Sequence, residues 1–418
     1  MINTKCKENP ENRVKFFKNT AFLQDSPRFT KEHGAALAIT LCLFGFAVLL
    51  VHSLAGGTLL AHNPYDSYLL QAQNWLNGSI SIQNGQNYPW LELAIFNNEY
   101  YLSFPPIPSV AELPWALWSA AVPSNLIVLL YGLLTAAGVY LLFWQSGKTA
   151  ETCGFFALFT TLGSNVFWLS TNGGVWMLAQ VLNLALCVWG CFFWLRQKEV
   201  PAFFLLALAV GCRPFSALLA VLLFLRPLWQ AVTRKKYAHL AVVSVLPILV
   251  AAALGWYNWV RFGSPLEFGH NYLPEFMREE NGQFSLAYLW PNLKNLLRPV
   301  LLTPTLDLEF PRFNGFLPFA ANPLLLLWVW NMVKAVKNKT FDKSDAILLG
   351  AYLASVLFFC LHRTLGGWQF GARYLVDPFA FVLLFFAKRK YEAGGAARAL
   401  LLAAVLFNFY GAVYMLTH

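Results

Sequence analysis

Apolar runs of about the 20 residues needed to cross a bilayer recur along this chain from Ala35 to Leu416. Lipid offers no hydrogen bonds, so each run must pair its own backbone N–H and C=O groups, and a helix does that. Composition agrees, since 58% of the 418 residues are hydrophobic and only 12% are charged, against about a quarter charged in a soluble domain. The expected fold class is an all-α membrane protein. It is a polytopic bundle of about 11 transmembrane helices, with amphipathic interfacial helices in the outer loops.

Charge sets the topology. The formal net charge is +10, but the basic residues stand in short clusters between apolar runs, which argues against nucleic acid as a partner. Residues 1–34 form a polar tail with Lys5, Lys7, Arg13, Lys15, Lys18, Arg28 and Lys31, too long for a signal peptide, so the first run reads as an uncleaved span with the N-terminus in the cytoplasm. No Lys or Arg occurs between Glu32 and Gly147, which places the polar region after the first span outside. Spans near 124–145, 152–170, 173–195, 239–260, 314–333, 345–361, 375–387 and 397–416 then return the basic clusters to the cytoplasm. The run 201–229 divides into two short spans at CRPF (212–215), where Pro214 disfavours helix at Arg213. Residues 104–121 hold four prolines and Glu112 and read as interfacial or re-entrant. The chain is thus a cytoplasmic basic tail (1–34) and one transmembrane unit (35–418), with outer loops at 56–123, 261–312 and 362–374. No internal repeat is visible. The seven cysteines lie in the tail or in apolar runs, so neither a structural disulfide nor a zinc site is expected.

The outer loops carry the chemistry. Asn63 and Pro64 suit a helix start, and apolar positions at 65, 68, 69, 72, 75 and 76 describe an amphipathic surface helix before Gly78. Asp66 falls in its first turn on the more polar side. It is expected to be ionised at the surface, either as a cap or as a base. Glu92 and Glu99 read as solvated loop acids ahead of metal or substrate ligands, since neither has a ligand spacing, next to the paired Tyr100 and Tyr101. Glu112 sits among apolar residues, where an unpaired charge is costly, or at the interface. In the second loop His270 has no histidine or cysteine at metal spacing, and Arg261 reads as a snorkelling span end. Positions 286, 289, 293, 296 and 297 suggest another surface helix. The third link holds Arg363, Arg373 and Asp377. With Arg213 these outer arginines oppose the positive-inside bias, and they either converge on an anion such as a lipid phosphate or pair with headgroups and with acids such as Asp377.

The order of HNPYDSYLLQAQNWLNG, YYLSFPP, CRPF, RFGSPLEFG and FGARYL along most of the chain resembles bacterial glycosyltransferases of the GT-C superfamily, which include protein O-mannosyltransferases and lipid A aminoarabinose transferases. The resemblance implies an inverting enzyme of the bacterial inner membrane and cell envelope. It would move a sugar from a polyprenyl-phosphate donor to a lipid, glycan or protein acceptor on the extracytoplasmic face. Asp66 matches the essential first-loop aspartate and is the implied catalytic base. Arg373, Arg213, Arg363, Tyr100, Tyr101 and Glu92 are the implied substrate-binding residues. Many members carry a second acid in the next outer loop, whereas the link here, STNGG (170–174), has none, so a requirement for a divalent cation, magnesium or manganese, stays open. The rival class is a polytopic transporter or flippase of lipid-linked saccharide, for which repeated halves and midplane charges are the signature.

Overall fold

The structure, a computed structural model, describes residues 27–119 and 121–417. Most of the basic tail, residues 1–26 with Cys6, lies outside the described residues. In chain order, α1 (Lys31–Leu54) leads to a short helix α2 (Ser67–Leu76), a hairpin β1–β2 (Leu93–Phe96, Glu99–Leu102) and a second short helix α3 (Ile107–Ala116). Then come α4 (Ser124–Gln145), α5 (Ala150–Thr161), α6 (Val175–Leu195), α7 (Glu199–Val210), α8 (Ala217–Arg234) and α9 (Tyr237–Phe262). The next outer stretch holds α10 (Leu289–Leu296) and a ribbon, β3–β4 (Leu301–Leu302, Leu308–Glu309). The described chain finishes with α11 (Leu324–Lys337), α12 (Lys343–Leu361), α13 (Phe379–Ala387) and α14 (Gly395–Thr417).

Seven of these, α1, α4, α6, α8 with the turn before it, α9, α12 and α14, are long and apolar enough to cross a membrane. Against the expectation of about 11 spans, the segments near 152–170, 314–333 and 375–387 are shorter helices: α5, α11 and α13. The cause lies in polar breaks that the protein, rather than lipid, satisfies. After α5 the chain turns at Gly163–Ser164–Asn165, and the Asn165 N–H donates to Asn322 Oδ1 at 3.0 Å. The Asn165 amide donates to the Phe370 carbonyl at 2.7 Å, and that of Asn408 to the Ala321 carbonyl at 3.0 Å. All three asparagines are fully buried. Where charge required a break, it is present: α7 ends before Cys212, and Arg213 is extended ahead of Pro214. Residues 104–121 make only the ten-residue α3, too short to cross.

The core sits between α4 and α6, which are mostly buried, while α9 lies at the edge with Val245, Ile248, Leu249 and Trp256 exposed. An all-α description omits the hairpin. Its turn places Asn97 and Asn98 at φ 53° and 62°, the left-handed conformation that asparagine tolerates and that two-residue hairpins use.

The short helices α2 and α10 both bury polar side chains beside apolar ones: Tyr68, Leu69 and Ala72 are buried in α2, and Leu296 in α10. In α2, Gln71 and Asn74 are buried while Leu76 is exposed. In α10, Asn292 donates to the carbonyls of Cys360 and His362 at 3.1 and 2.8 Å, leaving Leu286, Trp290 and Leu297 on the outside.

Candidate active site

Helix α6 begins with Gly174 as its cap, and the Val175 N–H donates to the Tyr65 carbonyl at 3.0 Å. This tie joins the first outer loop to the bundle. Trp176, in the first turn, donates its indole N–H to Glu92 Oε2 at 3.2 Å. One turn further, the amide of Gln180 donates to the Arg373 carbonyl and to Asp377 Oδ1, both at 2.7 Å. A single helix face thereby gathers the first and third outer loops.

These residues border a cavity of about 260 Å³ whose walls include Glu92, Trp176, His270, Trp368, Arg373 and Tyr374. Arg373 is 2% exposed. Its Nε and Nη2 donate to the Gly366 carbonyl at 3.3 and 2.7 Å, and its Nη1 to Gln180 Oε1 at 3.4 Å. Among the described residues no carboxylate pairs with it within ion-pair distance, and its remaining N–H donors are uncommitted. Burial lowers the Glu92 carboxyl's tendency to ionise and so raises its pKa, against the Trp176 bond and the charge of Arg373.

The three arginines lie near one another but are differently engaged: Arg213 and Arg373 both stand over the ring of Tyr374, at 4.7 and 5.0 Å. Arg213 Nε pairs with Asp377 Oδ2 at 2.6 Å. Burial would lower the Arg213 guanidinium, but Asp377 and Tyr374 override it and hold it above its usual range. Arg363 donates to the His270 carbonyl at 2.6 Å and lies 3.8 Å over the ring of Phe276. Of the three, only Arg373 lines the cavity. Arg261 does not snorkel. It is 3% exposed and bonds the Leu102 carbonyl and Asn258 Oδ1 at 2.7 and 2.8 Å.

Asp66 departs most from its expected setting. It is the N-cap of α2 itself, with Oδ1 accepting the Leu69 N–H at 3.1 Å, while Asn63 accepts the Tyr65 N–H at 3.0 Å in the turn before it. Far from being exposed, Asp66 is 3% accessible, and its Oδ2 accepts the Ser124 hydroxyl at 2.5 Å. Burial raises its carboxyl above the usual range, opposed by Ser124 and the Leu69 N–H. It does not line the cavity, but it adjoins Tyr65, whose ring centre is 5.8 Å from that of Trp176 in the cavity wall.

Tyr100 and Tyr101 stand on β2, away from the cavity lining. Tyr100 packs over Gly85, and Tyr101 stacks near Phe262 and donates to Glu99 at 3.0 Å. Glu112 is 0% exposed and its carboxyl oxygens have no hydrogen-bonding protein partner, the costly setting among apolar residues that the sequence suggests. His270 has a partner after all, since His362 lies 5.6 Å away between ring centres. Burial lowers the pair's basicity to pKa values of about 3 and about 4, so both rings are neutral. No three His, Cys, Asp or Glu side chains among the described residues gather as a metal centre requires. The sequence reading missed Trp176, Gln180, Ser124 and Tyr374. Gln180 alone carried a signal, as a polar side chain inside an apolar span.

By sequence the chain matches no family model and no curated protein. By structure it is similar to ArnT from Cupriavidus metallidurans in the apo state, with 13% identity and a TM-score of 0.51 over 89% of this chain and 76% of that one. The fold is that of ArnT. It is the architecture that the resemblance to GT-C enzymes implies. ArnT from the same organism bound to undecaprenyl phosphate is also similar, at 15% identity and a TM-score of 0.47, over 83% of this chain and 59% of that chain.

Proposed function

We propose that this protein transfers a sugar from a polyprenyl-phosphate donor to a lipid, glycan or protein acceptor on the extracytoplasmic face of a bacterial inner membrane. The observation that carries the reading is Arg373, a buried guanidinium with no carboxylate partner among the described residues, at a cavity walled by aromatic rings. A buried cation in that state calls for an anion. A lipid phosphate supplies one at the membrane surface, and Trp176, Trp368 and Tyr374 suit the faces of a sugar. In this reading α5, α11 and α13 cross only together with the helical turns beside them, Val166–Leu169, Pro318–Ala321 and Arg373–Val376, and with the short α7 and the seven long helices they make 11 crossings, which puts the cavity outside.

In the reaction, the acceptor oxygen attacks the anomeric carbon while the bond from that carbon to the phosphate oxygen breaks. The electron pair leaves with the phosphate, whose growing charge Arg373 offsets. The acceptor's proton goes to a carboxylate. Asp66 has that role here, reached past the Tyr65–Trp176 wall, with its charged form supported by Ser124 and the start of α2. A second assignment, Glu92 as the base, is favoured by one observation: Glu92 lines the cavity and Asp66 does not. Purified protein assayed with polyprenyl-phosphate sugars separates them. Asp66→Asn is expected to lower turnover by about 10²–10⁴-fold with donor binding retained, and Glu92→Gln by far less; the reverse order makes Glu92 the base. Saccharide translocation in liposomes without any transfer would establish the transporter class instead.

A further inference from the structure

The first outer loop contains a second acid that the reaction above does not use. Helices α2 and α3 pack against each other in opposite directions: Trp75 and Gly78 share a cavity wall with Pro106 and Ile107, and the Ser109 hydroxyl donates to Gln71 Oε1 at 2.7 Å. Following α3 onward from Ser109 therefore follows α2 back toward its start. At about 1.5 Å per residue, Glu112 comes level with the first turn of α2, the turn that Asp66 caps.

Glu112 is 0% exposed, and neither of its carboxyl oxygens has a hydrogen-bonding protein partner. Among the described residues no Lys, Arg or His pairs with it. The titratable groups that face it are Asp66 from the cap of α2 and Tyr131 from α4. Around Asp66 and Tyr131 stand His62, Tyr68, Cys212 and Arg213, the last already paired with Asp377. Two carboxylates in one dry compartment cannot both remain charged without cost, and the proton goes to the one with less support. Asp66 has the Ser124 hydroxyl, the Leu69 N–H and the positive end of a helix; Glu112 has none of these.

We propose that Glu112 is a protonated positioning residue of the Asp66 site, so that the two carboxyls together carry a single negative charge, located on Asp66. The inference rests on the reading of Asp66 as the base for the acceptor. Burial first, and the neighbouring Asp66 second, push the Glu112 carboxyl up to about 9. A neutral Glu112 lets Asp66 ionise near neutral pH; a charged one would oppose it and would also set a second negative charge near the donor phosphate.

Difference infrared spectroscopy of the purified protein tests the pairing without any turnover. A protonated-carboxyl C=O band is expected at neutral pH, lost in Glu112→Gln and fading in the wild type only as the pH rises toward about 9. In Asp66→Asn, which keeps a competent helix cap, the same band should titrate at lower pH because the neighbouring charge is gone. Absence of the band at neutral pH, or a midpoint that Asp66→Asn leaves in place, overturns the proposal. In transfer assays the wild-type donor KM should rise at alkaline pH and that rise should vanish in Glu112→Gln; a rise that persists in the variant also overturns it. If the infrared results hold while the wild type transfers no sugar, the acid pair stands and the transferase reading falls.

Discussion

Replacing Arg373 by alanine isolates the group on which the proposed function turns. In the folded protein three of its N–H donors are held by the Gly366 carbonyl and Gln180, which leaves two on a side chain that lines the cavity. A phosphate taking those would form charge-assisted hydrogen bonds worth about 1.5–3 kcal/mol each. Water entering the truncated site recovers part of this, so the expected loss in phosphate affinity is about 3 kcal/mol, on the order of a hundredfold. The protein should remain folded, because the groups Arg373 releases are one carbonyl and one amide oxygen beside a cavity, and no buried carboxylate loses its only cation. Asp377 keeps Arg213. The assay is binding of polyprenyl phosphate and of the uncharged polyprenol to purified wild type and Arg373→Ala, at two salt concentrations. Affinity for the phosphate lipid should fall while affinity for the alcohol stays the same. Unchanged binding of the phosphate lipid, or equal loss for both lipids, refutes the assignment of Arg373 to an anion.

Asp377→Ala strands the Arg213 charge beside Tyr374 and is expected to cost about 3–5 kcal/mol in unfolding experiments, most of it regained when Arg213 is also replaced by methionine. Ser124→Ala removes the 2.5 Å bond to Asp66, so the Asp66 carboxyl moves further up and the acid limb of the rate profile shifts by about one to two pH units toward higher pH. The histidine pair gives a pH effect of known sign. Both rings titrate in the folded protein well below their ordinary 6.5, at about 3 for His270 and about 4 for His362. Their stability contribution is complete above pH 6.5 and declines as the pH falls toward 4, by up to about 1.4 kcal/mol per pH unit for each ring. Thermal unfolding between pH 7 and 5 should show this slope flattened in His270→Gln/His362→Gln, and an equal slope in the variant would remove the pair as its source.

The sequence alone determined the solvent, the polarity and the punctuation of this chain. Bilayer-length apolar runs admit little but helices, the gap in Lys and Arg between Glu32 and Gly147 sets the expected polarity, and Pro214 and the prolines of 104–121 keep the helices there short. These are local or one-dimensional signals, and they survive folding. Which arginine stays without a partner is a pairwise outcome. Arg213, Arg363 and Arg373 look alike in the sequence, and the fold separates them by pairing Arg213 with Asp377 at 2.6 Å, holding Arg363 on the His270 carbonyl and Phe276, and setting Arg373 in the cavity wall. The same holds for the acids. Asp66 and Glu112 lie on two short helices whose antiparallel packing excludes water from both, while Glu92 is drawn to the cavity by Trp176 from a helix more than eighty residues later. Burial and partner choice depend on what long-range contacts exclude and supply, and these set the charge state of each acid and so what each can do.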